Sequence, residues 1–206
     1  MIKIIIYISI FLFFFFNTGV FANENKSVLI PAGSFKMGSD IEEDQKPIHL
    51  VFVSAFYIDQ YETTQKEFEN VMGYNPSQFK NPSLPVENVD WFEANEYCVK
   101  IGKRLPTEAE WEKAARGKTQ TRYYWENEMS SDFAWYVKNS DRKTHPVGNK
   151  QPNFFGLYDI SGNVWEWVSD WFEPDYFKFS PFSNPIGPKT GKFKTGTMDI
   201  LRKTNS

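Results

Sequence analysis

From Lys118 onward the chain shows neither a sustained helical nor a sustained strand period, yet Trp, Tyr and Phe recur throughout with Pro, Asn and Gly between them. Long loops packed by aromatic rings are the expected result. Loops of that kind lack ladder hydrogen bonds, so side-chain caps, disulfides or a bound ion must hold them. The chain carries seven Trp, and much of its core is expected to be built from rings.

Regular structure is expected earlier. Three segments carry the same punctuation, a polar cap, a glutamate three residues on and a terminal glycine: Thr64 and Glu67 ending at Gly73, Asp90 and Glu93 ending at Gly102, Thr107 and Glu110 ending at Gly117. In each the cap oxygen accepts from an orphan N–H while the glutamate reaches back and suits the positive end of the helix dipole. The helices are therefore short. Phe68, Val71 and Met72 mark the inward face of the first, Ala94, Tyr97, Cys98 and Ile101 that of the second, and Trp111, Ala114 and Ala115 that of the third. Val28-Leu29-Ile30 and Leu50-Val51-Phe52-Val53, the latter leading into Phe56-Tyr57-Ile58, read as short strands, with a turn at Pro31-Ala32-Gly33.

The N-terminus has the form of an export signal. Lys3 precedes an apolar run from Ile4 to Phe16, and the small-residue pattern Val20-Phe21-Ala22 follows. The run is shorter than the roughly 20 residues a membrane span needs. Cleavage after Ala22 is expected, giving a periplasmic or secreted product with no membrane attachment. The mature chain would have 206 − 22 = 184 residues and a formal charge of 22 − 26 = −4. That size fits one domain, and without a basic block nucleic acid is a poor partner.

Cys98 is the single cysteine, unusual for an exported protein, where thiols normally pair. Its place on the apolar face of the second helix favours a buried structural role over a redox nucleophile. His49 and His145 are the only histidines, and turn or surface packing is the expected role of each. Asp159 and Glu166 lie seven residues apart with Gly162 between them. Two carboxylates and folded-back carbonyls make a hard oxygen set that suits Ca²⁺, although the spacing alone favours carboxylates that merely cap turns.

Four segments together resemble the formylglycine-generating enzyme, or sulfatase-modifying-factor, family. They are Ile30-Pro31-Ala32-Gly33-Ser34-Phe35-Lys36-Met37-Gly38, then Arg104-Leu105-Pro106-Thr107-Glu108-Ala109-Glu110-Trp111-Glu112, then His145-Pro146-Val147-Gly148, and the run from Gly156 to Trp167. The resemblance implies an α+β, C-type-lectin-like fold with short helices, short strands and long aromatic-rich loops. It also implies a stabilising calcium held by the side chains of Asp159 and Glu166 and the carbonyls of Gly162 and Val164. Its second calcium loop has no counterpart between Phe133 and Pro146. A protein or peptide substrate is the partner it suggests, and a bacterial exported form the source.

Known members oxidise a sulfatase cysteine to formylglycine with oxygen and a copper ion on two cysteines, soft ligands that suit copper(I). Here the resemblance implies a departure. After Asn184-Pro185-Ile186-Gly187-Pro188 the family continues into Arg-Gly-Gly-Ser, the cysteines and a closing segment, whereas this chain reads Lys194-Thr195-Gly196-Thr197-Met198 and stops at Ser206. The expected organisation is a signal peptide over 1–22, an incomplete domain over 23–193 and an aberrant tail over 194–206. The fold would then be incomplete at the C-terminus, with no copper pair, no catalytic residue assigned and apolar surface left open around Trp165, Trp167 and Trp171. The partner of Cys98, by the same resemblance, would lie in the lost part. The functions left in play are a damaged oxidase, a non-catalytic extracytoplasmic binding or maturation module, and an inactive product.

Overall fold

A computed structural model describes residues 26–197. The expected signal peptide and the last residues of the expected tail, 198–206, lie outside that range. Within it, β1 (Ser27–Ile30), β2 (Gly33–Met37), β3 (His49–Val53) and β4 (Phe56–Asp59) precede α1 (Gln65–Met72), α2 (Trp91–Lys100) and α3 (Glu108–Arg116). After a long irregular stretch come β5 (Glu166–Trp171) and β6 (Lys194–Thr197).

The three capping boxes form as the sequence spacing predicts. In each helix the cap side chain accepts from the N3 backbone and the N3 glutamate returns to the cap N–H. Gly73 and Gly117 end α1 and α3 in the left-handed conformation. The second helix stops at Lys100 with Ile101 as its cap, one residue short of Gly102. Phe68, Tyr97, Trp111, Ala114 and Ala115 are buried. Cys98 is only half-buried, a correction to the apolar-stripe reading: the short helix packs one edge of that face and leaves the next open to a cavity.

The strands pair differently from the expected order. Gly33–Met37, of which only Gly33 is read from the sequence, as the end of a turn, forms β2 and pairs antiparallel with β3, while β1 pairs with β4. Lys36 and Ser34 point outward between Phe35 and Met37, the alternation of a half-buried strand. Among the described residues every sheet is two-stranded, and such ribbons need packing to persist. α3 provides it, standing between two buried clusters. Trp111, Ala114 and Ala115 join Ile30, Leu157, Ile160 and Val168 on one side. Ala109 joins Met37, Val51, Val53 and Phe177 on the other.

Lys113 locks this arrangement. Its Nζ donates to the carbonyls of Pro31 at 2.7 Å, Gly33 at 3.0 Å and Val53 at 3.1 Å, so one buried cation ties α3 to the β2–β3 ribbon and to the turn that leads from β1 into it. Asn153 does the same for the loops, with Nδ2 donating to Ala114 O at 2.7 Å and Oδ1 accepting from Phe155 N at 2.9 Å. Side-chain caps thus replace the missing ladders.

Ordered structure does not stop at the expected boundary after Phe193. Lys194–Thr197 forms β6, antiparallel to β5 with Glu166 opposite Thr197 and Trp167 opposite Gly196. The aromatic surface expected to lie open is accordingly split. Trp165 remains 52% exposed, but Trp167 donates its indole N–H to Val89 O at 3.0 Å and Lys194 Nζ sits 4.0 Å from the ring centre of Trp171.

Candidate functional site

The loop from Asp159 to Glu166 is folded tightly back on itself. Asp159, Gly162 and Asn163 all have positive φ, at 55°, 118° and 56°. At Gly162 the requirement is also steric, since a Cβ there would stand 2.4 Å from the carbonyl oxygen of Trp135. Only glycine lets this turn approach the Trp135 backbone so closely.

Asp159 is 2% exposed. One oxygen, Oδ2, accepts from Gly148 N at 2.6 Å, and the other, Oδ1, is buried with no hydrogen-bond partner. Glu166 Oε2 accepts from the indole N–H of Trp111 at 2.6 Å. Gly148 N and the Trp111 indole, the donors to these two carboxylates, lie outside the turn that carries them.

A third acid joins them that sequence reasoning missed. Glu62 sits in the connection between β4 and α1, where its Oε2 accepts from Asn163 Nδ2 at 2.6 Å and its Oε1 from Val164 N at 3.3 Å. Nothing local marks it, because the residues around it read only as the approach to the Thr64 cap. Its partners lie about a hundred residues away.

The three acids perturb one another. Burial pushes the Glu62 carboxyl well above its usual range, and the charges of Asp159 and Glu166 push it further against the two hydrogen bonds it accepts. Burial raises Glu166 to about 7, with the Trp111 bond opposing and Asp159 adding to it. Asp159 is likewise raised by burial, opposed by the Gly148 N–H and Lys150. Such a group of desolvated acids lacks positive charge. Among the described residues, no three His, Cys, Asp or Glu side chains stand together as a metal cluster. A cation here would therefore draw on main-chain oxygens besides Asp159 and Glu166, the mixed set that calcium accepts. The orphaned Oδ1 of Asp159 and the shortage of positive charge fit that ion.

Beside the loop lies a cavity of about 390 Å³, walled by Tyr57, Tyr97, Leu157 and Trp167, with Glu62, Val164 and Glu166 contributing and Cys98 on its edge. Its size lies in the range of small-molecule and side-chain binding pockets, roughly 300–1,000 Å³. Burial raises the Cys98 thiol, as does Asp59, with Lys103 opposing. The group is thus kept as a thiol rather than a reactive thiolate. The histidines do structural work: His145 stacks on Trp135 with centroids 3.7 Å apart, and His49 Nδ1 meets Pro47 O at 2.9 Å.

These features define an α+β protein dominated by loops, with an acidic turn beside a partly apolar cavity. The sulfatase-modifying factor enzyme 1-like domain model matches residues 17–203, reaching past Phe193. The formylglycine-generating enzyme of Bos taurus is 32% identical over 237 aligned residues, covering 81% of this chain and 63% of that protein. A protein named chaperone protein LppX from Paenibacillus barcinonensis is 34% identical, covering 70% of this chain and 71% of its own. Among solved structures, Treponema denticola variable protein 1 superposes with a TM-score of 0.72 at 32% identity, covering 80% of each chain. The chain belongs to the formylglycine-generating, sulfatase-modifying-factor family. It spans less than two thirds of the bovine enzyme's length.

Proposed function

We propose that this chain is an exported, calcium-braced scaffold of the family that binds a segment of a partner protein and carries no copper–thiolate centre among its own residues. The observation that carries this reading is the 390 Å³ cavity beside the acidic loop in a chain with one cysteine. A copper ion on two thiolates would supply oxygen activation, and one thiol does not make such a pair. Cys98, half-buried and held protonated, packs the cavity wall. Asp159 and Glu166, with the carbonyls of Gly162 and Val164, would hold the calcium. Glu62 orients the turn that carries two of these oxygens. Periplasmic or secreted localisation rests on the N-terminal pattern of Ile4 to Ala22. No helix among the described residues is long and apolar enough to cross a membrane.

The test is direct. The purified chain, given copper, oxygen and a cysteine-containing sulfatase-type peptide, should retain that peptide without forming an aldehyde that a hydrazide reagent captures. Aldehyde formation would overturn the scaffold reading in favour of an oxidase. Absence of any peptide retention would overturn the binding role.

A further inference from the structure

The β1–β4 ribbon leaves one edge open toward the larger cavity. Gln60 N donates to Lys26 O at 3.0 Å, and with Val28 opposite Ile58 and Ile30 opposite Phe56 this bond fixes the phase of the ladder. In an antiparallel pair, residues that exchange bonds alternate with residues that do not. Phe56 and Ile58 therefore turn their N–H and C=O toward β1, while Tyr57 and Asp59 turn theirs away from it. Among the described residues no hydrogen bond reaches the main chain of Tyr57 or Asp59 on that outer side. Tyr57 is 71% exposed, and Phe56–Asp59 contains neither a proline nor a bulge, two devices that close an open edge.

All four residues of β4 line the cavity, whereas β1 contributes only Ser27. An unpaired edge accepts a second extended backbone, and a pocket beside it accepts the side chains that alternate to one face. Neither a helix nor a compact small molecule offers donors and acceptors at strand spacing. Ala94, Ile101 and Ile160 make the facing walls apolar. Of the charges around the cavity, Lys103 pairs with Asp59 at 2.6 Å and Arg104 with Glu110 at 2.7 Å. Glu62 and Glu166 line it as well, and their donors are an amide, a backbone N–H and an indole rather than cations. The charge left over is negative, which favours a basic segment and disfavours an acidic one. We propose that the outer edge of β4 pairs with an extended segment of the partner protein, which adds a third strand to the ribbon, places an aliphatic side chain in the cavity and carries basic rather than acidic residues. This rests on the reading that the cavity receives a protein segment, and adds the backbone geometry and chemistry of that segment.

The experiment titrates the purified chain with a labelled peptide that alternates valine and threonine between terminal lysines, with its glutamate-ended counterpart, and with the sulfatase-type peptide, and follows amide hydrogen exchange in each complex. The lysine-ended peptide should bind about tenfold more tightly than the glutamate-ended one, and it should slow exchange at the Tyr57 and Asp59 amides. Tyr57→Pro removes the outward N–H and spares the bonds to β1, so it should weaken binding about tenfold. Leu29, opposite Tyr57, turns its N–H to the far edge of β1. Leu29→Pro, and Tyr57→Ala, which keeps the N–H, should both bind within about threefold of the parent. If Tyr57→Pro does not melt cooperatively, protection of the two amides in the parent decides. Binding of the peptides without that protection overturns the strand pairing and leaves the segment-binding reading standing. Failure of all three peptides to bind at about 1 mM overturns both. Equal weakening by Leu29→Pro and Tyr57→Pro, or tighter binding of the glutamate-ended peptide, overturns the proposal alone.

Discussion

Asn163 Nδ2 donates to Glu62 Oε2 at 2.6 Å across 101 residues of sequence. Asn163 Oδ1 also accepts from His145 N at 3.0 Å, and Nδ2 reaches His145 O at 3.1 Å. One side chain therefore holds the acidic turn, the β4–α1 connection and the loop before Gly148 in one register. The cavity wall and the candidate calcium loop share this joint, since Glu62 and Val164 contribute to both.

Glu62→Ala should cost about 2 kcal/mol, because it takes the acceptor from Val164 N and one of the two acceptors from Asn163 Nδ2, both partly buried. Glu62→Gln keeps one acceptor oxygen and should cost less. Urea denaturation of both variants checks the order, and equal stability of the alanine variant and the parent would contradict the joint described above.

Gly162→Ala should be strongly destabilising, by about 3 kcal/mol. The methyl would meet Trp135 O at 2.4 Å, and the backbone at φ 118° is one that L side chains rarely adopt. Thermal unfolding measures the loss. A change within half a degree would mean the turn can relax away from Trp135.

Calcium should raise the melting temperature, since a ligand that binds only the folded state contributes about 2.7 kcal/mol at a hundredfold excess over its dissociation constant. The combined Asp159→Ala and Glu166→Ala substitution should abolish that rise. If calcium still stabilises the double variant, the ion sits elsewhere.

Asp170 gives a pH dependence that can be signed. Burial raises its carboxyl to about 6, opposed by hydrogen bonds from Glu108 N and Ser169, raised again by Glu110 and lowered by Lys194. Its Oδ2 accepts from Glu108 N at 3.0 Å, at the first turn of α3. A carboxyl whose folded value lies above its unfolded value of 3.8 holds its proton more tightly when folded. This contribution is fully present below 3.8 and is lost as pH rises through about 6. Asp170→Asn should therefore flatten the fall in stability over that interval. Denaturant midpoints collected from pH 4 to 7 check it, and an unchanged slope would assign the dependence to other groups.

Lys113→Met should destabilise by about 3 kcal/mol, because hydrogen bonds from a charged group are worth about 1.5–3 kcal/mol each and do not add. The change strips a donor from three carbonyls. Chemical denaturation would show the loss as a shifted midpoint with an unchanged slope.

Local chemistry carries far. The three helices were legible because a capping box is written within four consecutive residues and its hydrogen bonds close inside one turn. Asp159, Gly162, Val164 and Glu166 could be proposed from one short run, since family resemblance acts on contiguous motifs. β2 was missed because Gly33 reads as the end of the Pro31-Ala32-Gly33 turn, and only pairing with β3 makes a strand of Gly33–Met37. β6 was missed because Lys194 and Thr195 break the family pattern while their backbone still pairs with β5.

What the sequence determined by itself is the set of short elements, the single thiol and the run of oxygen-bearing residues in one loop, all fixed by neighbours along the chain. The tertiary structure alone decided that Glu62 would join that loop and that Cys98 would border a cavity. These depend on long-range packing by Lys113, Asn153 and Asn163, whose partners are backbone atoms or distant side chains that leave no local trace in the sequence.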